Sequence, residues 1–319
     1  MNRACFLENA NLHENIDMRA PSDHLKSNYL RMKTKIFMMI AALAILSFSS
    51  CTKQSVIDQA SLDLADDDAV SDAVFEDVFN SVDNADIILD NLGKGDATKS
   101  DLLVVADSCP LVTITHVGDG VWPKTITIDF GNGCSGLFDN TRSGKIIIVV
   151  TGPRRETGSK KTVTFENYFF NGIKVEGTKE FENMGYNSNQ NLVFSVKLMN
   201  GKLTLTDGKV IERSFEHQKE WTAGQLTRNI WDDEFMITGT ATGVNINGVA
   251  YTNTIMTALH WKRVCRFVVS GIVKIEREGA EQIEINYGDG ECDNKAVVTR
   301  GTESKEILLK FRHRNMMNN

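Results

Sequence analysis

The sequence predicts an all-β protein, an antiparallel meander or β-sandwich-like domain with long hairpins, preceded by a short helical segment. From Ser108 onward, apolar and polar residues alternate with period two in runs such as TITIDF, LVFSVKL and FMITGTATG. Runs of this kind, rich in Thr, Val, Ile and Phe, are typical of strands. Asn-Gly and Asp-Gly pairs, which favour tight hairpin turns, separate several of them, beginning at Asn171-Gly172. No helix-length pattern interrupts the strands, so the sequence excludes βαβ architectures.

A signal-like stretch precedes this region. Residues 32–53 read MKTKIFMMIAALAILSFSSCTK: two lysines, an apolar run without charges, small residues and then Cys51. The run has the length of a secretory signal core and is too short for a transmembrane helix. We therefore expect a lipoprotein signal peptide over 32–50 and a lipid on Cys51. Residues 1–31 are expected to be a mis-assigned start upstream of Met32.

A helical segment is expected next. Val70, Val74, Val78 and Val82 recur at every fourth residue, which is the spacing of one helix face. Three aspartates, residues 66–68, precede the first of these valines. Acidic side chains suit the positive end of a helix dipole, so the aspartates are interpreted as an acidic first turn; a cation site is the alternative.

These patterns divide the chain into consecutive segments. The predicted segments are a polar tether over 51–65, the helical segment over 66–92, a linker over 93–107, the β domain over 108–311 and a tail over 312–319.

The β region contains an internal hairpin repeat. Residues 109–134 and 265–292 each begin with cysteine, run through a strand, turn at glycine, return as a strand and end with cysteine. A hairpin with cysteines at both open ends brings them together, so the repeat favours two disulfides, Cys109–Cys134 and Cys265–Cys292. A pairing between the two hairpins, such as Cys109–Cys265, is the alternative. The chain has no Cys-x-x-Cys pair, which argues against zinc.

Charge narrows the classes of partner. Residues 1–50 hold six of the 35 basic and four of the 42 acidic residues, which leaves a net charge of about −9 for residues 51–319. An acidic chain is a poor ligand for nucleic acid.

Few residues suggest chemistry. Trp221 and Trp231 bracket a glycine-containing turn and are candidates for a sugar-stacking platform, although buried tryptophans are the common alternative. The carboxylates of Asp289, Glu291 and Asp293 alternate along YGDGECDN and form a weak calcium candidate, against the interpretation of a turn with surface acids. Residues 232–234, Asp-Asp-Glu, form a second acidic cluster of the same kind.

His217 is the histidine that we weigh most closely for catalysis. It shares a strand face with Phe215 and Lys219, and it is interpreted as a solvated strand residue instead of a catalytic one. No catalytic residue, cofactor or firm metal site is expected from the sequence.

The chain also resembles uncharacterised envelope lipoproteins of Bacteroidota-type bacteria. The resemblance covers the signal and most of residues 108–310, and it is carried by DFGNGC, GKIIIVVTG, TFENYFFNGIKVEGTKEF, ITGTATGVNINGVAYTNTI and NYGDGECDNKAVV. It implies an all-β envelope lipoprotein, and it brings no reaction, substrate or catalytic residue with it.

Together these observations predict a non-catalytic binding or structural lipoprotein of the bacterial outer membrane, on either its periplasmic or its outer face. The membrane is contacted through the lipid on Cys51, and an envelope protein or a glycan is the expected partner. A glycan-binding accessory protein with exposed tryptophans and a hydrolase with an unrecognised site are the alternatives.

Overall fold

The computed structural model describes residues 57–92, 102–106, 109–115, 122–135, 140–227, 229–265 and 267–309. The expected signal peptide, Cys51, residues 1–31 and the tail over 312–319 lie outside the described residues. One helix, α1 (Gln59–Leu92), precedes the strands. The strands are β1 (Leu102–Ala106), β2 (Leu111–Thr115), β3 (Lys124–Asp129), β4 (Cys134–Ser135), β5 (Thr141–Val150), β6 (Lys160–Phe170), β7 (Ile173–Tyr186), β8 (Leu192–Thr204), β9 (Val210–Ala223), β10 (Glu234–Val244), β11 (Ala250–Lys262), β12 (Val268–Glu276), β13 (Ile283–Asp289), β14 (Lys295–Arg300) and β15 (Glu303–Leu308).

The strands form one open antiparallel sheet in chain order. Each strand pairs with the next along the sequence, except that the two-residue strand β4 pairs only with β5, so that β3 and β5 are neighbours. The predicted antiparallel meander is thus confirmed, with the helix ahead of it. Long hairpins of up to 14 residues per strand make up its middle.

Glycines at register shifts bend this sheet. Gly144 and Gly239 both have positive φ and lie where the pairing of β5 with β6 and of β10 with β11 shifts. A Cβ on Gly144 would lie 1.9 Å from the carbonyl oxygen of Asn167, and one on Gly239 would lie 2.2 Å from that of Glu216. Because bulges increase local twist and curvature, these positions allow the long strands to curl.

The sheet curls around α1. Helix side chains and strand side chains belong to one buried cluster, which includes Val74, Phe75 and Val78 of the helix and Ile146 and Val196 of the sheet. The strands present alternate residues to this interior, as in the buried–intermediate alternation along the whole of β3. The helix is therefore a central part of the core. No described helix is long and apolar enough to cross a membrane.

The helix begins earlier than the sequence predicted. Asp58 caps its first turn, where its Oδ1 accepts a hydrogen bond of 2.7 Å from the amide of Ser61. The expected tether over 51–65 therefore contains the first helical turns. The predicted boundary at residue 66 is wrong, because the helix already begins at Gln59 and residues 66–68 lie within it. All three aspartates are buried within the helix, where Asp67 accepts a hydrogen bond from the amide of Ile246 in the turn after β10, and Asp68 accepts one from Asn253 of β11.

The sheet starts earlier than predicted, and the two predicted hairpins are present. The expected linker over 93–107 contains β1, which pairs with β2, so the sheet starts before residue 108. The two predicted hairpins are present as β2–β3 and β12–β13. Each carries the predicted disulfide, with Cα–Cα distances of 5.6 Å for Cys109–Cys134 and 5.2 Å for Cys265–Cys292.

Candidate binding cavity

Ion pairs join the acidic helix to basic side chains of the sheet along its length. These pairs are Asp58 with Arg277 and Arg300, Asp68 and Asp72 with Arg213, Glu76 with Lys219, Asp77 with Arg142, Asp83 with Arg154 and Arg263, and Asp86 with Arg154 and Lys161. Their basic partners lie on strands and in connecting segments from β5 to the end of β14. The acidic face of the helix is thus matched by a basic interior of the sheet.

The interior also contains a fully buried lysine that contacts the helix backbone. Lys179 is 0 % exposed and donates a hydrogen bond of 2.7 Å to the carbonyl oxygen of Phe75. Burial lowers the pKa of Lys179 to about 7, against the attraction of Glu76. At Asp83 burial alone would raise the pKa, but Arg154 and Arg263 lower it below the ordinary value. The buried charges of the sheet and of the helix therefore stabilise one another.

A cavity of about 320 Å³ opens beside this network. We call it the flank cavity. It lies between the second half of α1, the strands β2, β3 and β5, and the segments that follow β9 and β11. Its apolar lining comes from Ile88, Val112, Ile128, Phe130, Trp231 and Trp261. This size and composition fall within the lower range of small-molecule sites in proteins.

Most polar residues of the flank cavity are already paired. Asp77 and Arg142 form an ion pair, Glu76 pairs with Lys219, and the side-chain oxygen of Asn140 accepts a hydrogen bond of 2.8 Å from Asn171. These contacts leave the cavity without a free carboxylate near a nucleophile among the described residues.

Two lining residues differ from this pattern. Arg263 is 6 % exposed and pairs with Asp83, yet its Nε and Nη1 have no hydrogen-bond partner within the described chain. The side-chain oxygen of Asn80 is likewise buried without one. These atoms have almost no accessible surface, so the protein itself encloses them, and each such atom without a partner costs about 1–3 kcal/mol.

The expected pair of exposed tryptophans is not present. Trp221 is 3 % exposed, stacks on Phe235 with ring centroids 5.7 Å apart, and donates a hydrogen bond of 3.1 Å to Asp233. It is therefore a core residue. Trp231 is 44 % exposed on a 3₁₀ turn (Ile230–Asp232) and lines the flank cavity together with Trp261.

The acidic candidates line one surface pocket but form no metal site among the described residues. Asp289, Glu291 and Asp293 are exposed around the turn between β13 and β14, and Asp293 accepts a hydrogen bond from the amide of Lys295 at 3.1 Å. No group of three potential metal ligands occurs in the parts of the chain that the structure describes. The interpretation as a surface turn fits this geometry.

The second acidic cluster also divides. Asp232 accepts a hydrogen bond from the hydroxyl of Thr227, Asp233 is buried against Trp221, and Glu234 lies 2.7 Å from His260.

His217 was predicted to be solvated, and this is wrong. It is 9 % exposed and stacks on Phe215 with centroids 4.3 Å apart. Its predicted face is right, since Phe215 and Lys219 are buried beside it. Because that face points into the charged interior, burial and the cations Arg213, Lys219 and Lys179 hold the pKa of His217 well below its usual value.

The fold and the flank cavity define an all-β protein in which an open meander sheet surrounds an acidic helix. No protein-family model matches this chain, and neither the curated proteins nor the solved structures include a significant match.

Proposed function

We propose that this protein is a non-catalytic lipoprotein of the bacterial cell envelope, anchored in the outer membrane by a lipid on Cys51, that binds a small apolar molecule in the flank cavity. The cavity carries this proposal, because apolar side chains of the helix and the sheet line it and its charged groups are consumed by ion pairs. The signal pattern of residues 32–51 and the resemblance to Bacteroidota-type envelope lipoproteins support the location.

Of the alternatives, glycan binding loses its structural basis. It required two exposed tryptophans near one hairpin end, and only Trp231 of the two is exposed. The described residues around the flank cavity likewise offer a hydrolase no nucleophile with an adjacent base.

Lipid attachment is tested by growing cells that express the chain with labelled palmitate. We expect the protein to be labelled, the Cys51→Ala variant to lose the label, and the neighbouring Thr52→Ala variant to keep it. Equal labelling of Cys51→Ala would contradict the proposed anchor.

Ligand binding is tested with the neutral fluorescent probe N-phenyl-1-naphthylamine. Ala73 lines the flank cavity, and Ala60 lies exposed on the same helix outside it. A larger side chain at position 73 fills space that the probe needs, so we expect Ala73→Leu to weaken saturable binding by about tenfold or more, equivalent to about 1.4 kcal/mol. Ala60→Leu should bind like the unmodified protein. An unmodified protein without saturable binding would remove the proposed function.

A further inference from the structure

The largest group of exposed apolar side chains lies at one end of the sheet. Because every second connection of a meander lies at the same end, five connections meet there: residues 151–159, 187–191, 224–233, 263–267 and 290–294. The second half of the helix points to this end, since Asp83 pairs with Arg154 and Arg263 of two of these connections. Asp58, which caps the start of the helix, pairs with Arg300 at the opposite end.

Five exposed side chains at this end form what we call the apolar rim. They are Met184 and Tyr186 at the end of β7, Leu226 and Trp231 in the connection after β9, and Val264 in the connection after β11. Leu226 is 90 % and Val264 is 60 % exposed. The described connections at the opposite end, after β6, β8, β10, β12 and β14, contain no exposed large apolar side chain. Single exposed apolar residues are normal, whereas their concentration at one end indicates a contact surface.

Hydrogen bonds join the connections that carry the apolar rim. The side chain of Gln225 donates to the carbonyl oxygen of Gln190 at 3.1 Å, which links the connections after β7 and β9. The amide of Arg263 donates to the carbonyl oxygen of Asp233 at 3.0 Å, which links those after β9 and β11. Arg155, in the connection after β5, donates to the carbonyl oxygen of Gln225. The rim is thus held on one bonded framework.

The charges at this end balance. The five connections contain five arginines and five carboxylates: Arg154, Arg155, Arg228, Arg263 and Arg266 with Glu156, Asp232, Asp233, Glu291 and Asp293. Proteins are attracted to anionic lipids by an excess of basic residues, which this end lacks in its sequence. A surface without net charge matches it better, and contact then depends on the burial of apolar area.

We propose that the apolar rim docks on a lipid surface with zwitterionic head groups. Trp231 and Tyr186 lie at the level of the head groups, as such side chains do at membrane interfaces, and Leu226 and Val264 reach the hydrocarbon. Hydrocarbon accommodates side chains that project from several connections, whereas a protein partner needs a pocket for each anchor. This inference goes beyond ligand binding and does not depend on it. Trp231 also lines the flank cavity, so docking places the cavity beside the lipid.

Docking is tested by co-sedimentation of the mature chain, residues 51–319, with phosphatidylcholine vesicles. The substitution Cys51→Ser removes the proposed lipid, so that binding reports on the protein surface alone. We expect saturable binding that changes little between about 0.1 and 1 M salt, because salt screens charges and does not weaken apolar burial. Vesicles of equal parts phosphatidylcholine and phosphatidylglycerol should bind no better.

A double variant, Leu226→Ser with Val264→Ser, removes two projecting side chains of the apolar rim. We expect it to bind the vesicles about tenfold or more weakly, since two apolar side chains no longer enter the hydrocarbon. Met256→Ser is the matched control, because Met256 is 58 % exposed on β11 and lies outside the rim. It should bind like the Cys51→Ser chain.

Three results overturn the docking inference: no sedimentation with either kind of vesicle, binding that requires phosphatidylglycerol and is lost at high salt, and equal binding by the double variant. A dimer without vesicles that the double variant loses, measured by sedimentation velocity, assigns the rim to a second copy and also overturns it. Binding of N-phenyl-1-naphthylamine is measured without vesicles. A failure of docking is therefore distinguishable from a failure of the proposed function.

Discussion

At the scale of single residues, the main feature is burial of charge within a β protein. Phe215, His217, Lys219 and Trp221 alternate along β9 and all point inward. Their period of two shows from the sequence alone that they share a face, and Phe215 and Trp221 identify that face as apolar. The sequence predicted a solvated His217 because a buried lysine or histidine requires partners, and these partners lie far away in the chain. For Lys219 that partner is Glu76 of the helix.

His217 makes the stability of the protein sensitive to acid. Burial holds its folded pKa well below the ordinary histidine value of about 6.5, so below about pH 6.5 the unfolded chain binds a proton that the folded protein excludes. Stability therefore falls as the pH decreases through this range. Between pH 7.5 and 5.5 this one group removes on the order of 1 kcal/mol, by proton linkage from an unfolded pKa of about 6.5.

The variant His217→Phe isolates this effect. It keeps a ring against Phe215, and all other titrating groups are common to both proteins, so the difference between the two pH dependences belongs to His217. Urea unfolding at pH 7.5 and 5.5 should show that the variant loses less stability than the unmodified protein over this interval, by on the order of 1 kcal/mol. The same pH dependence for both proteins would show that His217 accepts a proton in the folded state.

At the scale of elements, the helix α1 decides whether the sheet folds. Lys179, Arg213 and Lys219 are each at most 2 % exposed, and α1 supplies their partners: the carbonyl oxygen of Phe75 for Lys179, and carboxylates for Arg213 and Lys219. Removing one partner from a buried ion pair costs about 3–5 kcal/mol, and a whole domain has only about 5–15 kcal/mol of net stability. A sheet without the helix would also expose the apolar interior that packs against it.

We therefore expect a fragment of residues 102–319, which keeps every strand and both disulfides, not to fold. A fragment of residues 57–319 should unfold cooperatively on heating, as followed by circular dichroism. The comparison removes only the helix and the segment after it. A cooperative transition in the shorter fragment would show that the sheet is stable without the ion pairs of α1.

The elements also show what the sequence was able to predict. Strand periodicity, turn residues and the duplicated hairpin are local patterns, and they identified the meander and both disulfides correctly. The helix itself was found from its valines at every fourth position, but its start was missed because Asp58, the capping residue, lies among polar residues that resemble a tether.

At the scale of the whole molecule, the flank cavity was beyond the reach of sequence patterns. Its wall joins Val112 and Ile128 of the first strands to Trp231 and Trp261, which lie more than a hundred residues further along the chain. Periodicity shows which face a side chain occupies, and it carries no information about which distant segment faces it. Likewise, the atoms of Asn80 and Arg263 without hydrogen-bond partners follow from the packing of the helix against the sheet, which sequence patterns do not describe.

The position of the helix ahead of all strands also sets an order of assembly. Each hairpin pairs neighbours in the chain and can form as soon as its two strands exist, within about 1–10 μs for an isolated hairpin. The helix, by contrast, contacts Arg142 across 65 residues, and its capping residue Asp58 contacts Arg300 across 242 residues. Such distant contacts must close long loops before they contribute, and this slows folding. When the chain emerges N-terminus first, the helix therefore appears before all of its partners on the sheet. The charged interior can be assembled only after nearly the whole polypeptide has emerged.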